Sequence, residues 1–441
     1  METMEKLKLI SEKAKQDRKI KFTSLTHLIN EESLAQCYKE LKKDKACGVD
    51  GVTVEEYGQK LEENLKSLVD RMKNKSYQPQ PVRRVYIPKP GKDEKRPLGI
   101  PSVEDKLVQI MAKKILEAIY EQDFLESSYG YRPGRSTHTA INRLDKVVMT
   151  KPIKAIVEVD IKKFFDEVKH YWLIRGVEER VSDPNFLWLT RRFLKAGIME
   201  EGKYTPSVVG TPQGGVISPV LANIYLHYAL DQWFEIKFKR SVKGCAELIR
   251  YADDIVAAFE HKEDAERFMK ELEERLNKFG LRVNKEKTRM VEFGRKVWEQ
   301  GVADQKKSGT FDFLGFTHYG TASRRGKFIM GHKTAKKKLA MSIMQTKEWL
   351  RKIRNKCRMK EWWPTLIAKL RGHYNYYGIS GNMWSLRQFY SGVIRLVFKW
   401  VNRRSQKKSM NWNRYLEYLR VHPLTLPKIY HNLYTLKPIY Y

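Results

Sequence analysis

Apolar and charged positions alternate at helical spacing through residues 1–75, broken once by Gly48-Val49-Asp50-Gly51, which reads as a turn. Between Tyr77 and Pro101 the pattern becomes extended. Val82, Val85 and Ile87 fall on strands there, and Pro88-Lys89-Pro90-Gly91-Lys92 forms the loop of a basic hairpin. Leu107, Met111, Ile115 and Ile119 return the chain to a helical period over Val103 to Tyr120, followed by a loop at Gly130-Tyr131-Arg132-Pro133-Gly134-Arg135. An apolar strand, Ala155-Ile156-Val157-Glu158-Val159, ends at Asp160. A helical region then runs to about Ala196, a Gly-Pro loop spans Gly210 to Gly215, and a core helix extends from Pro219 to about Phe238. Ala265, Phe268, Met269, Leu272, Leu276 and Phe279 mark an amphipathic helix capped by Gly280. With a further strand at Leu281-Arg282-Val283, the middle of the chain fits a split βαβ sheet. Beyond residue 330 the signals are helical only, through Leu339, Ile343, Leu350 and Ile353 and then Leu386, Phe389, Val393, Leu396, Val397 and Trp400.

The tip of a second hairpin carries the chemistry. Tyr251-Ala252-Asp253-Asp254 lies between the apolar runs Leu248-Ile249 and Ile255-Val256-Ala257-Ala258-Phe259. An acidic pair in a tight turn is most often just a solvated turn. Asp160 at the end of its own apolar strand changes the picture, because three carboxylates gathered at strand ends suit hard divalent cations and phosphoryl transfer.

Composition adds a partner. Hydrophobic residues make up 41% of the chain and aromatic ones 12%, enough for folded cores and against disorder. Lys and Arg number 85 against 52 Asp and Glu, a net charge of +33, which points to a polyanion. From Thr321 to Tyr441 there are 27 Lys and Arg and three acids, so this stretch holds +24 of the excess. Its cations alternate with rings in Lys360-Glu361-Trp362-Trp363, Arg371-Gly372-His373-Tyr374-Asn375-Tyr376-Tyr377 and Lys399-Trp400, a mixture suited to phosphate contact and base stacking, or else to a solvated basic surface. Cys37, Cys47, Cys245 and Cys357 show neither zinc-ligand nor disulfide spacing. The charged N-terminus and the lack of a long apolar run imply no membrane and a cytoplasmic setting of bacterial type, and no motif points to a particular oligomeric state.

Six ordered motifs resemble a known family: Lys95-Arg96-Pro97-Leu98-Gly99-Ile100-Pro101, Tyr129-Gly130-Tyr131-Arg132-Pro133-Gly134-Arg135, Val159-Asp160-Ile161-Lys162-Lys163-Phe164-Phe165-Asp166, Gly210-Thr211-Pro212-Gln213-Gly214-Gly215, Tyr251-Ala252-Asp253-Asp254 and Phe313-Leu314-Gly315-Phe316. They follow the reverse-transcriptase blocks of group II intron-encoded proteins, and Leu370 to Gly378 resembles the maturase, or thumb, domain of that family. The resemblance implies an α+β right-hand polymerase fold. Residues 1–75 would be an N-terminal extension and the start of the fingers, closing as a lid over the template. Residues 76–320 would be fingers and palm, and 321–441 a basic helical thumb. It further implies an RNA-directed DNA polymerase that takes an RNA template, a DNA primer and deoxynucleoside triphosphates, and that binds its parent intron RNA to help it splice. The chain carries no further segment resembling the family's DNA endonuclease, so the expectation is insertion at existing DNA ends.

Residue by residue, Asp160, Asp253 and Asp254 resemble the catalytic metal ligands, with the Ile161 carbonyl as an extra oxygen on one of two Mg²⁺ ions, for which Mn²⁺ can substitute. Phe165 resembles the steric gate against a 2′-hydroxyl, against the alternative of a core ring. Lys89 and Arg96 resemble the cations on the incoming triphosphate, with Lys92 and Lys95 as other candidates for the first position. Gln213 and Gly214 resemble the residues packed against nucleotide and template. Lys287 resembles the proton donor to pyrophosphate, with an ordinary surface lysine as the alternative. Phe313, Leu314, Gly315 and Phe316 resemble the primer grip, and Arg371, His373, Tyr374, Tyr376 and Tyr377 the RNA-binding face. Two other readings remain: a free-standing polymerase of this lineage in defence or repair, and an RNA-binding splicing cofactor alone.

Overall fold

The computed structural model describes residues 2–88, 95–207, 209–211, 214–306, 308–403 and 410–433. Strands β1 (Val82–Pro88) and β2 (Lys95–Ile100) form the expected hairpin, in which Arg96 stands opposite Ile87. Next come β3 (Ala155–Asp160), β4 (Ile198–Glu200), β5 (Lys203–Thr205), and a second hairpin of β6 (Ala246–Tyr251) and β7 (Asp254–Phe259). Then follow β8 (Arg289–Glu292), β9 (Thr310–Phe313), β10 (Phe316–Ala322) and β11 (Phe328–Thr334). They assemble as three sheets, ordered β2-β1-β4-β5, β6-β7-β3-β8 and β11-β10-β9. The central sheet is antiparallel throughout, with the helix Lys262–Lys278 leading from β7 to β8 in a βαββαβ path.

Each face of β3 belongs to a different core. Ala155, Val157 and Val159 join the large core built with the N-terminal helices and the helix Val103–Tyr120, while Ile156 joins Ile249, Val256, Ala258, Phe311 and Phe328 beneath the third sheet. Burial on both sides explains why this strand reads as one apolar run instead of an alternation. The helix Val103–Tyr120 starts where Ser102 accepts a hydrogen bond from the Asp105 N–H. The first helix, Glu2–Gln16, is docked through buried Leu7 and Ala14.

Two expectations need correction. Leu281-Arg282-Val283 is not a strand: Leu281 is buried in the core, and Val283 makes a single antiparallel bridge to Ile161. The chain then turns through Asn284 to Thr288 around the end of β3 before β8 takes the sheet edge. The helical part also begins later than residue 321. β10 and β11 carry a two-residue period, with Phe316 and His318 on one strand and Phe328, Met330 and His332 on the other turned inward, so helices start at Lys336. The helices Lys336–Ile353, Met359–Tyr377, Met383–Val401 and Trp412–Val421 then pack around their own core. Among the described residues no helix is long and apolar enough to cross a membrane.

Candidate active site

Asp160 ends β3, Asp254 begins β7, and the two are direct partners across the antiparallel ladder. That pairing puts their Cβ atoms about 5 Å apart. Asp253 stands beside them in the turn. The protein walls around Asp254 strip enough water from it, though its side chain still reaches solvent, to push its carboxyl up to about 6, and the negative charges of Asp253 and Asp160 act in the same direction. Lys287 and Lys338 pull the other way. Lys338, near the start of the first thumb helix, is thus a cation facing the site that sequence reasoning did not single out.

The turn itself is held from below. Ala252 has a φ of +56°, a left-handed conformation that costs a non-glycine residue roughly 1–2 kcal/mol. Gly130 backs it so closely that a Cβ there would lie 2.3 Å from the Ala252 nitrogen. Arg250, fully buried, donates to the Ala252 carbonyl at 3.1 Å, to Asn223 Oδ1 at 3.0 Å and to Ser128 Oγ at 2.7 Å. It also pairs with the buried carboxylate of Asp231 at 2.6 and 2.8 Å. Asn223 and Asp231 would diverge by about 80° on a straight α-helix. Here the helix Ser218–Leu226 widens into a π-helical turn over His227–Asp231, which brings both onto the Arg250 side. None of this hub was singled out from sequence, although a charge inside an apolar strand facing polar residues inside an apolar helix was a visible signal.

Asp160 is tied to the turn after Val283. Asn284 Nδ2 donates to its Oδ2 at 2.8 Å, and Lys287 Nζ lies 3.3 and 3.4 Å from its two oxygens. The Ile161–Val283 bridge is closed by the Lys162 N–H to the Arg282 carbonyl and the Asn284 N–H to the Asp160 carbonyl, neither of which engages the Ile161 carbonyl.

Phe165 is half-buried, edge-on to buried Phe164. The glycine loop is strapped to its backbone: the Thr211 N–H donates to the Phe165 carbonyl and the Gly210 N–H to the Val168 carbonyl, both at 2.8 Å, and His170 meets the Gly210 carbonyl at 2.7 Å. Gly214, at φ +110°, presses the other end of the loop onto β2, where a Cβ would lie 2.4 Å from the Gly99 carbonyl oxygen. The structure therefore brings Phe165, Gly214 and the first hairpin together. Lys89 and Gln213 lie outside the described residues.

Residues 87–318, more than half of the chain, match the family of reverse transcriptases (RNA-dependent DNA polymerases). The chain belongs to the reverse transcriptase family. Group II intron-encoded protein LtrA of Lactococcus lactis subsp. cremoris is 38% identical over 242 residues, 54% of this chain and 40% of that protein. Protein YkfC of Escherichia coli (strain K12) is 38% identical over 238 residues, 47% of this chain and 62% of that protein. Nuclear intron maturase 4, mitochondrial, of Arabidopsis thaliana is 28% identical over 152 residues, 34% of this chain and 19% of that protein. The chain spans about half the length of the first two.

A reverse transcriptase depends on divalent metal, and the donor set of this one fits: three acceptor-only carboxylates, two of them opposed across a ladder, whose repulsion a hard cation relieves. Among the described residues no three acidic, His or Cys side chains stand close enough together to hold a metal ion by themselves. An open arrangement is what a polymerase site requires, since substrate phosphates complete the coordination.

At the expected grip motif, Leu314 and Gly315 have φ of +50° and +82° and turn β9 into β10 as a two-residue hairpin. Buried Phe316 stacks on Tyr376 at 6.0 Å, and the Tyr376 hydroxyl donates to the Leu314 carbonyl at 3.0 Å. The turn between β9 and β10 is thus joined directly to the thumb helix Met359–Tyr377. This corrects the expected RNA-binding face. Tyr374 is fully buried in the thumb core, His373 stacks at 3.7 Å on Phe389, and Tyr376 and Tyr377 pack on Phe316. Trp362, Trp363 and Trp400 are buried too, so these rings hold the thumb together and are not open to stack on bases. Of the expected set Arg371 remains exposed, and Trp384, which was not expected, is 67% exposed.

Burial pushes the His373 imidazole down to about 4. Unfolding restores an ordinary value near 6.5, so below that pH the unfolded chain takes up a proton that the folded thumb refuses. Stability should therefore be whole above pH 6.5 and fall progressively as pH drops from there to about 4. His227 in the palm is held down to about 4 by burial as well, and burial also lowers His138, His170 and His318, so the share of His373 must be isolated. Thermal melts of the parent and His373→Phe across this range should show a shallower loss for the variant; parallel curves would contradict it.

Proposed function

We propose that this chain copies RNA into DNA by adding deoxynucleotides to a DNA primer, and that it also binds a group II intron RNA to assist splicing. The observation that carries the polymerase is the register of β3 against β7, which sets Asp160 opposite Asp254 with Asp253 in the adjoining turn. Two Mg²⁺ ions on Asp160, Asp253, Asp254 and the Ile161 carbonyl, with Mn²⁺ able to replace them, would lower the charge barrier between the primer hydroxyl and the α-phosphate. The chain's own residues do the rest. Lys89 and Arg96 hold the triphosphate, Gln213 and Gly214 flank the nascent pair, and Lys287 delivers a proton to the departing pyrophosphate. Phe313, Leu314, Gly315 and Phe316 set the primer terminus. The basic thumb, through Arg371 and the exposed ring of Trp384, takes the RNA. The intron partner is supported by the names of the group II intron-encoded and maturase relatives.

Extension of a DNA primer on an RNA template with deoxynucleotides and Mg²⁺ tests the polymerase; a protein that binds RNA tightly but never extends would leave only the splicing role. Phe165, whose carbonyl is tied to the glycine loop, would exclude a 2′-hydroxyl, a reading supported by its half-buried ring beside that loop. Phe165→Ala should raise ribonucleotide incorporation by about tenfold or more, read as the ratio of kcat/KM for a ribonucleotide and its deoxy counterpart. An unchanged ratio would remove Phe165 as the gate.

A further inference from the structure

We propose that Asn284 is a positioning residue that fixes the Asp160 carboxylate for cation binding, an inference that rests on Asp160 being a metal ligand. Asn284 is only 9% exposed. Its backbone N–H donates to the Asp160 carbonyl at 2.7 Å, its own carbonyl accepts from the N–H groups of Lys287 and Thr288 at 3.1 and 2.8 Å, and Thr288 Oγ1 accepts from the Asp160 N–H at 3.2 Å. The backbone of the turn is thereby tied to the end of β3 from both sides, and the Asn284 side chain has one place to go. Its amide nitrogen reaches Asp160 Oδ2 at 2.8 Å. The reverse orientation would set the amide oxygen against a carboxylate, so the donor orientation holds even though Asn284 Oδ1 stays buried without a partner.

The two side chains on Asp160 differ in kind. Lys287 is charged, its side chain is 62% exposed, and it sits at the long distances of 3.3 and 3.4 Å, a contact that an arriving cation can displace. Asn284 is neutral, buried and short-range, and it occupies one lone pair of Oδ2 while leaving the others for a metal. A ligand carboxylate held this way loses less rotational freedom when it binds an ion. Partners of this type are worth about 10–100-fold in metal affinity.

The test uses the full chain and Mn²⁺ alone, titrated by electron paramagnetic resonance without nucleic acid, on the parent, Asn284→Ala, the volume-filling Asn284→Leu and Thr288→Val. Both Asn284 variants should weaken Mn²⁺ binding by about 10–100-fold and raise the Mg²⁺ concentration for half-maximal primer extension in step, with metal-free melting temperatures near the parent's. Thr288→Val removes an acceptor of the backbone but leaves the amide in place, and should keep Mn²⁺ affinity within a few-fold. Unchanged Mn²⁺ affinity in a well-folded Asn284 variant overturns the proposal while the parent's polymerase activity stands. Equal loss in Thr288→Val also overturns it, by showing that the turn as a whole and not the amide matters. A parent protein that neither binds Mn²⁺ nor extends primers removes both this inference and the polymerase reading beneath it.

Discussion

Asp254→Asn should lower primer extension by at least about a thousandfold and leave RNA affinity close to the parent's. The carboxylate faces Asp160 across the β3–β7 ladder, where charge stabilisation by cations is worth several kcal/mol of barrier, whereas a carboxylate has no attraction for an RNA phosphate. The substitution keeps size and shape, so the fold has no reason to suffer. Stability without metal should in fact rise at neutral pH. In the folded protein the Asp254 carboxyl is pushed up to about 6, so ionising it above that pH opposes folding, an opposition that is absent below the ordinary value near 3.8. Filter binding to RNA, primer extension and metal-free melts at pH 7.5 read the three effects separately. Extension within tenfold of the parent would remove Asp254 from the chemistry; a collapse of RNA binding would show that the carboxylates also shape the RNA path.

Arg250→Met should destabilise the protein by roughly 3–5 kcal/mol, because it strands the Asp231 carboxylate where neither side chain of the pair meets solvent. Urea denaturation followed by tryptophan fluorescence measures the loss. Adding Asp231→Leu should recover much of it, since an apolar pair of similar volume commonly replaces a buried ion pair at little cost. Extension should not recover with it. The double variant still lacks the donor that holds the Ala252 carbonyl, and the left-handed turn beneath Asp253 and Asp254 would lose its anchor. Recovery of both stability and extension would mean that Gly130 and the strand ends suffice to shape the turn.

The chain is legible where one residue period persists long enough to be read. Val103 to Tyr120 is a helix over the expected span, Ala155 to Asp160 a strand, and the carboxylate hairpin falls where two apolar runs flank a short polar tip. What sequence left hidden depends on contacts between distant segments. β11 and the end of β10 fall inside the expected helical thumb because inward positions of this strand pair include His318 and His332, polar side chains that disguise a two-residue alternation and meet each other at 2.9 Å. Basic residues beside aromatic ones in the thumb suggested a stacking surface, yet Trp362, Tyr374 and Trp400 point inward and only their charged neighbours face out. The Arg250 hub could not be read either: it gathers Ser128 from one stretch and Asn223 and Asp231 from another, the latter pair brought to one side by a widened helical turn that no short pattern specifies.

The bond from Tyr376 to the Leu314 carbonyl bears on how this molecule can be dissected. Phe316 has its ring under Tyr376, His138 meets the Tyr376 carbonyl at 2.8 Å, and His138 also stacks on His431 at 3.6 Å. The β9–β10 sheet and the basic helices therefore share one seam of interlocked rings. A fragment ending before the first thumb helix would bare Phe316 to water and release the β9–β10 turn, inviting self-association. A chimera that borrows thumb helices from another protein would have to bring rings that fit this seam, or leave Phe316 and the turn before it unsupported.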